Sequence, residues 1–144
     1  MKTVHHRCEK DVAADAAWAV LRNFGALLDY MGIAGGISLE GKGAGTVRRL
    51  NIPDMGRFAE RLDNRDDARR ILAYTLVEGS PLGMVKYRAE VSVTKIAGDR
   101  CLFHWRGEFD GAQGADPDEI AQALTASYEE MSDAIASFAR DNTR

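Results

Sequence analysis

From Ile37 onward, apolar and polar residues alternate with a period of two. Five runs carry the pattern: "GTVRRLNI", "GRFAERLD", "RRILAYTLVE", "VKYRAEVSVTKI" and "RCLFHWRGEF". Alternation of this kind marks strands with one face buried. The runs are joined by "PDMG", "NRDDA", "GSPLGM" and "AGD", short enough to predict an antiparallel meander. Before it, Thr3 to Cys8 is β-compatible, "DAAWAVLRNFG" predicts a short helix with Asp15 as its cap and Gly25 at its end, and "ALLDYMGIAGG" holds one further helical turn.

After the meander the period lengthens. In "ADPDEIAQALTASYEEMSDAIASFAR", Asp116 is an N-cap, Pro117 takes the first helical position and Glu119 completes a capping box. Ile120, Leu124, Tyr128, Met131, Ile135 and Phe138 then recur at helical spacing, so one stripe faces a core. The predicted class is α+β: a strand, two short helices, an antiparallel sheet of six to seven strands in all, and a long C-terminal helix. No repeat or linker interrupts the order, and residues 1–144 are expected to form one domain.

Hairpin registers follow from keeping large apolar residues on one face. Matching Leu50 with Phe58 sets Arg48 opposite Glu60. Matching Leu62 with Leu72 sets Tyr74 on the other side of Glu60. The row continues through Ala89 to Gly107, so it is polar at one end and small at the other. Leu50, Phe58, Leu76, Tyr87 and Phe109 occupy one neighbouring row; Leu62, Leu72, Val91 and Trp105 occupy the other.

Glu60 therefore stands between Phe58 and Leu62 on the face that should be buried. A lone buried carboxylate is expensive, so the reading requires Arg48 as its partner, with Tyr74 or water completing its hydrogen bonds. A register slip of one residue would instead turn Arg48 and Glu60 into a surface pair worth about 0–1 kcal/mol. The inward reading makes Arg48, Glu60 and Tyr74 the polar end of a cavity beneath the long helix. Phe58, Tyr87, Trp105, Phe109 and Tyr128 are its candidate apolar lining.

Composition narrows the picture further. The sequence has 144 residues, 45% hydrophobic and 28% charged, with a net charge of −3. No apolar run approaches the roughly 20 residues of a membrane span, so no stable membrane insertion is expected. The N-terminus lacks a secretory signal pattern, which makes the cytoplasm the expected location and Cys8 and Cys101 free thiols. The seven arginines between Arg48 and Arg70 are interrupted by Asp63, Asp66 and Asp67 without interleaved aromatics, so no nucleic-acid partner is read.

Other chemistry is weaker still. His5 and His6 point to opposite faces of a strand, His104 shares the outer face with Arg106 and Glu108, and neither cysteine has metal-ligand spacing, so no metal site is read. "GKGAG" at 41–45 leads into a strand, whereas phosphate loops lead into a helix; it is a turn. Ser80 lacks a nucleophile context. In "EGSPLGM", Gly79, Pro81 and Gly83 shape a connection whose Leu82 and Met84 can close over a cavity mouth. No cofactor is implied.

The order and spacing of "AAWAVLRNFGALLDY", "GAGTVRRL", "FAERLD", "DDARRILAYTLVEGSPL", "VKYRAEVSV" and "HWRGEF" resemble the SRPBCC or START-like superfamily over nearly the whole chain. That superfamily includes polyketide cyclases, lipid-transfer domains and the birch-pollen allergen. The resemblance implies a helix-grip fold, in which a curved sheet wraps around the C-terminal helix. It also implies a gating role for the loop around Pro81. Where many members carry a tryptophan and a proline after the short helices, this chain has "YMGIAGG". Three functions fit: binding or transport of a small hydrophobic or amphipathic molecule (lipid-like, aromatic or polyketide-like); a cyclase or dehydratase using Arg48, Glu60 and Tyr74; or a protein-interaction surface without a ligand.

Overall fold

The computed structural model describes residues 1–142. Strand β1 (Lys2–Lys10) is followed by two short helices, α1 (Ala14–Leu21) and α2 (Leu27–Met31). Six strands follow: β2 (Gly36–Glu40), β3 (Val47–Ile52), β4 (Gly56–Asp66), β5 (Ile71–Glu78), β6 (Met84–Ala97) and β7 (Arg100–Gly111). A 3₁₀ turn at Pro81–Gly83 joins β5 to β6, and helix α3 (Pro117–Asn142) ends the described chain. The sheet is antiparallel in the order β1-β7-β6-β5-β4-β3-β2. The chain thus crosses from one edge to the other through α1 and α2, then winds back strand by strand until β7 closes against β1. This is the helix-grip arrangement.

The local signals explain most boundaries. Gly32 ends α2 in the left-handed conformation, φ 63°, and its N–H reaches the Leu28 carbonyl. At the start of α3, the Asp116 carboxylate accepts the Asp118 N–H at 2.9 Å. The reciprocal Glu119 bond of a capping box is not found among the described residues. Over 26 residues α3 is about 39 Å long, enough to cross the sheet. Its buried stripe is Ile120, Leu124, Tyr128 and Ile135, with Met131 and Phe138 half-buried. Asp15 is not the cap of α1: Ala13 takes that position without a side-chain bond, and Asp15 lies in the first turn, paired with Arg70 at 2.8 Å. Nor does Gly25 end that helix, whose C-cap is Arg22.

Arg48 pairs with Glu60 and Leu50 with Phe58, as the β3–β4 hairpin pattern reads. The β4–β5 register differs. Leu62 faces Tyr74 and Glu60 faces Leu76, instead of Leu72 and Tyr74. The cause is that β4 runs on through Asn64 and Arg65 to Asp66, which the sequence reading assigned to the connection. The actual turn is tighter, with Arg70 at φ 54° and the Asp66 carboxylate accepting the Arg69 N–H. Asp63 absorbs the extra residue as a bulge and accepts hydrogen bonds from Thr75 and Arg61. Because the displacement is two residues, side-chain parity survives and Glu60 stays inside. Beyond it, Tyr74 faces Ala89 and Ala89 faces Gly107.

The core lies between the concave face and α3. Trp105 is fully buried, stacks on Tyr128 with ring centroids 4.7 Å apart, and donates its indole N–H to Ser132 at 2.8 Å. Cys8 and Cys101 are free thiols. Among the described residues, no helix is long and apolar enough to cross a membrane.

Candidate ligand cavity

Arg48 and Glu60 are 4% and 5% exposed, so two opposite charges from neighbouring strands meet inside the sheet. The Arg48 guanidinium donates its Nε–H to Glu60 Oε1 at 2.9 Å, its Nη2 lies 2.7 Å from the same oxygen in the ion pair, and its Nη1 donates to the Phe24 carbonyl at 3.2 Å. Its flat faces are covered: Cζ lies 4.0 Å from the centroid of Phe24 and 4.9 Å from that of Tyr74. Burial disfavours the guanidinium charge, but Glu60 and the nearby phenols outweigh it and hold the cation more firmly than usual. One residue along β3, Arg49 points outward and binds Glu40 and Glu78 in solvent. The inside pair is thus a consequence of strand parity.

Glu60 lines a half-open cavity of about 90 Å³ between the sheet, α2, the 3₁₀ turn and α3. Both the guanidinium hydrogen bond and the closest ion-pair contact fall on Oε1, and among the described residues nothing hydrogen-bonds Oε2. Tyr74, Tyr87 and Tyr128 complete the polar end. The Tyr87 and Tyr128 hydroxyls are 2.6 Å apart, and the Tyr74 and Tyr87 rings meet edge to face. Burial pushes all three phenols well above their ordinary pKa, so at neutral pH each carries its proton.

The remaining wall is apolar and soft. Met31, Met55, Met84 and Met131 all line it, four of the five methionines in the sequence. Unbranched, polarizable side chains of this kind repack around differently shaped contacts. The rim includes Ile33, which is 40% exposed, and Leu82 of the 3₁₀ turn. Leu82 sits at φ 58°, a left-handed conformation that costs a non-glycine residue on the order of 1 kcal/mol. Gly79 precedes it at φ 83°, where a Cβ would lie 2.5 Å from the Arg57 carbonyl oxygen. That glycine is required for the strand to turn.

Of the candidate site residues, Glu60, Tyr74, Phe58, Tyr87 and Tyr128 line this cavity. Arg48 stands behind Glu60, and Trp105 and Phe109, both fully buried, support the wall without reaching the opening. Sequence reasoning missed the methionines of α2, of the β3–β4 turn and of α3. Their scarcity elsewhere in the chain was the available signal. It also missed Tyr30, buried beside the pair, whose phenol is raised by burial against the opposing effect of Arg48. The "YMGIAGG" segment supplies Met31 and Ile33 to the mouth in place of the tryptophan and proline of many relatives. His104 lies on the outer face, hydrogen-bonded to His5.

The helix-grip fold, with the match of a family model over nearly the whole chain, places the protein in the SRPBCC, or Bet v1-like, superfamily. Within it, the chain belongs to the family described as polyketide cyclase / dehydrase and lipid transport, which matches residues 1–139. Among solved structures, a protein named XoxI from Bacillus cereus is similar over 100% of this chain and 99% of its own, with 21% identity and a TM-score of 0.82. Norcoclaurine synthase from Thalictrum flavum, in complex with dopamine and hydroxybenzaldehyde, is 24% identical over 97% of this chain and 87% of its own, TM-score 0.77. The Zhui aromatase/cyclase from a Streptomyces species is 22% identical over 99% and 96%, TM-score 0.78. These likenesses establish the fold. No curated protein matches the chain.

Proposed function

We propose that the protein binds a compact amphipathic molecule, with a hydrogen-bond-donating group against Glu60 and an apolar body against the methionines. The observation that carries this reading is Glu60 Oε2: a carboxylate oxygen without a hydrogen bond from any described residue, on a carboxylate fixed by Arg48 and lining a largely apolar cavity. A buried ion pair is weak evidence for stability, since apolar replacements often serve as well. Its presence at a cavity wall supports a use in orienting a guest.

Size favours an aromatic or similarly compact group over a long acyl chain. About 90 Å³ is below the roughly 150 Å³ of a cavity that encloses benzene, so a ligand would place one end inside and extend through the open mouth. A larger guest requires the methionine rim and Leu82 to move. The dopamine and hydroxybenzaldehyde complex of the Thalictrum structure supports aromatic guests for this fold.

The cyclase-type alternative is favoured by one observation, the Tyr74 phenol beside Glu60 on the cavity wall. It would have to work without Arg48 as the group that polarises a carbonyl, because the guanidinium is packed between Phe24 and Tyr74. A carboxylate bonded to arginine is also a poor base at neutral pH. Binding is therefore the stronger reading. Native mass spectrometry of freshly purified protein, with solvent extraction, tests it. A bound small molecule, or a one-to-one adduct with added para-ethylphenol, is expected; apo protein under both conditions would contradict it.

A further inference from the structure

Between β1 and α3, outside the cavity lining, lies a second cluster of chemically active side chains. His6 and Cys8 are two residues apart on β1 and so share a face, and Glu129 of α3 packs over them. One nitrogen of His6, the Cys8 sulfur and one oxygen of Glu129 all lie within 4.8 Å of one another. No residue of β1 lines the cavity, so this cluster is separate from it.

Its hydrogen bonding is incomplete. His6 Nε2 is buried and makes no hydrogen bond, although Glu129 Oε1 is only 3.4 Å away. A buried ring nitrogen normally finds a partner. The other Glu129 oxygen, Oε2, takes the Lys10 ammonium at 2.6 Å, and Lys10 also binds Asp133. Lys10 therefore fixes the carboxylate with Oε1 turned toward His6. Near Cys8, the Ser132 hydroxyl accepts the Trp105 indole N–H and donates to the Tyr128 carbonyl. Of the three groups, Glu129 thus has a neighbour that orients it, as the outer partners of metal ligands do.

We propose that His6, Cys8 and Glu129 form a binding site for a divalent transition-metal ion of zinc type. Nitrogen, thiolate and carboxylate oxygen are the donor set zinc takes. Tetrahedral bonding separates such donors by roughly 3.3–3.6 Å, so small rotamer adjustments from the present spacing suffice. Three protein ligands leave a fourth position for water, and the 41% exposure of the Glu129 side chain provides entry from solvent. The ion would tie edge strand β1 to α3. Binding displaces the Cys8 thiol proton to solvent. Two ligands at i and i+2 give no sequence signature by themselves; the third arrives from 121 residues later in the chain.

Cobalt(II) titration of reduced, metal-free protein tests the site directly. One ion per chain is expected, with a thiolate-to-cobalt charge-transfer band, displacement by zinc and a raised thermal midpoint. Cys8→Ser should abolish the band, and His6→Gln and Glu129→Gln should each weaken binding at least about tenfold. Cys101→Ser should change nothing, and circular dichroism identifies any variant that fails to fold; Glu129→Gln, on the half-exposed rim, is the variant least exposed to that risk. Stoichiometric binding without the thiolate band, or binding that survives Cys8→Ser and disappears in His5→Gln, would overturn the proposal and assign the ion to the outer His5–His104 pair. Absence of binding at micromolar metal would overturn it as well.

Discussion

The Tyr128 hydroxyl occupies the space that a side chain at Gly107 would fill: a Cβ built there lies 2.3 Å from the hydroxyl oxygen and 3.2 Å from Leu124 Cδ2. Gly107 is paired with Ala89, so two small residues side by side let α3 approach the sheet and bring Tyr128 to Tyr87.

Gly107→Ala is therefore expected to destabilise the protein by about 1–3 kcal/mol, the ordinary cost of overpacking a core. Tyr128→Phe, which removes the obstructing oxygen, should recover much of that loss in the double variant. Urea denaturation midpoints of the four proteins of this cycle provide the check. Equal losses with tyrosine and phenylalanine at position 128 would show that the hydroxyl is not the obstacle.

Breaking the inner ion pair should cost more than removing it. Arg48→Leu leaves a carboxylate 5% exposed with no cation, and a loss of about 3–5 kcal/mol is expected at neutral pH. The double replacement Arg48→Leu with Glu60→Leu should lie within about 1–2 kcal/mol of the parent, or above it. Denaturant titrations measure both. If the double variant is no better than the single one, the pair does not owe its place to ligand orientation.

All four tyrosines of the sequence are buried, and burial pushes every one of their phenols above the ordinary value of 10. A group with a raised folded-state pKa contributes stability that is complete below the unfolded value and is lost as pH rises beyond it. Folded protein should consequently show no phenolate absorbance at pH 10, and the signal should appear together with loss of helical circular dichroism at higher pH. A tyrosine that titrates at pH 10 in the folded chain would place at least one ring in solvent.

The sequence made the element order legible because each element obeys its own period, and because Asp116, Pro117 and Gly32 mark ends that need those residues. The β3–β4 pairing was readable for the same reason: "PDMG" admits one register with Leu50 and Phe58 on the same face. The β4–β5 pairing was not, since polar Asn64, Arg65 and Asp66 look like loop but continue the strand past a bulge at Asp63. Parity still located Glu60 correctly, as a two-residue slip preserves the face. What alternation could not supply was depth. Trp105 and Phe109 share the inner face with Tyr74 yet do not reach the opening, while three of the methionines that do, Met31, Met55 and Met131, come from two helices and a turn without any period-two signal.

Those methionines make the central proposal accessible to one experiment: methyl-¹³C methionine NMR during titration with para-ethylphenol and with its methyl ether, which has the same shape without the donor. The Met31, Met55, Met84 and Met131 signals should move together while Met1 stays still. The phenol should bind about tenfold more tightly than the ether, a preference that disappears when Arg48 and Glu60 are both leucine. Unmoved cavity methionines, or equal affinity for the two probes in the parent protein, would contradict a cavity that grips its guest through Glu60.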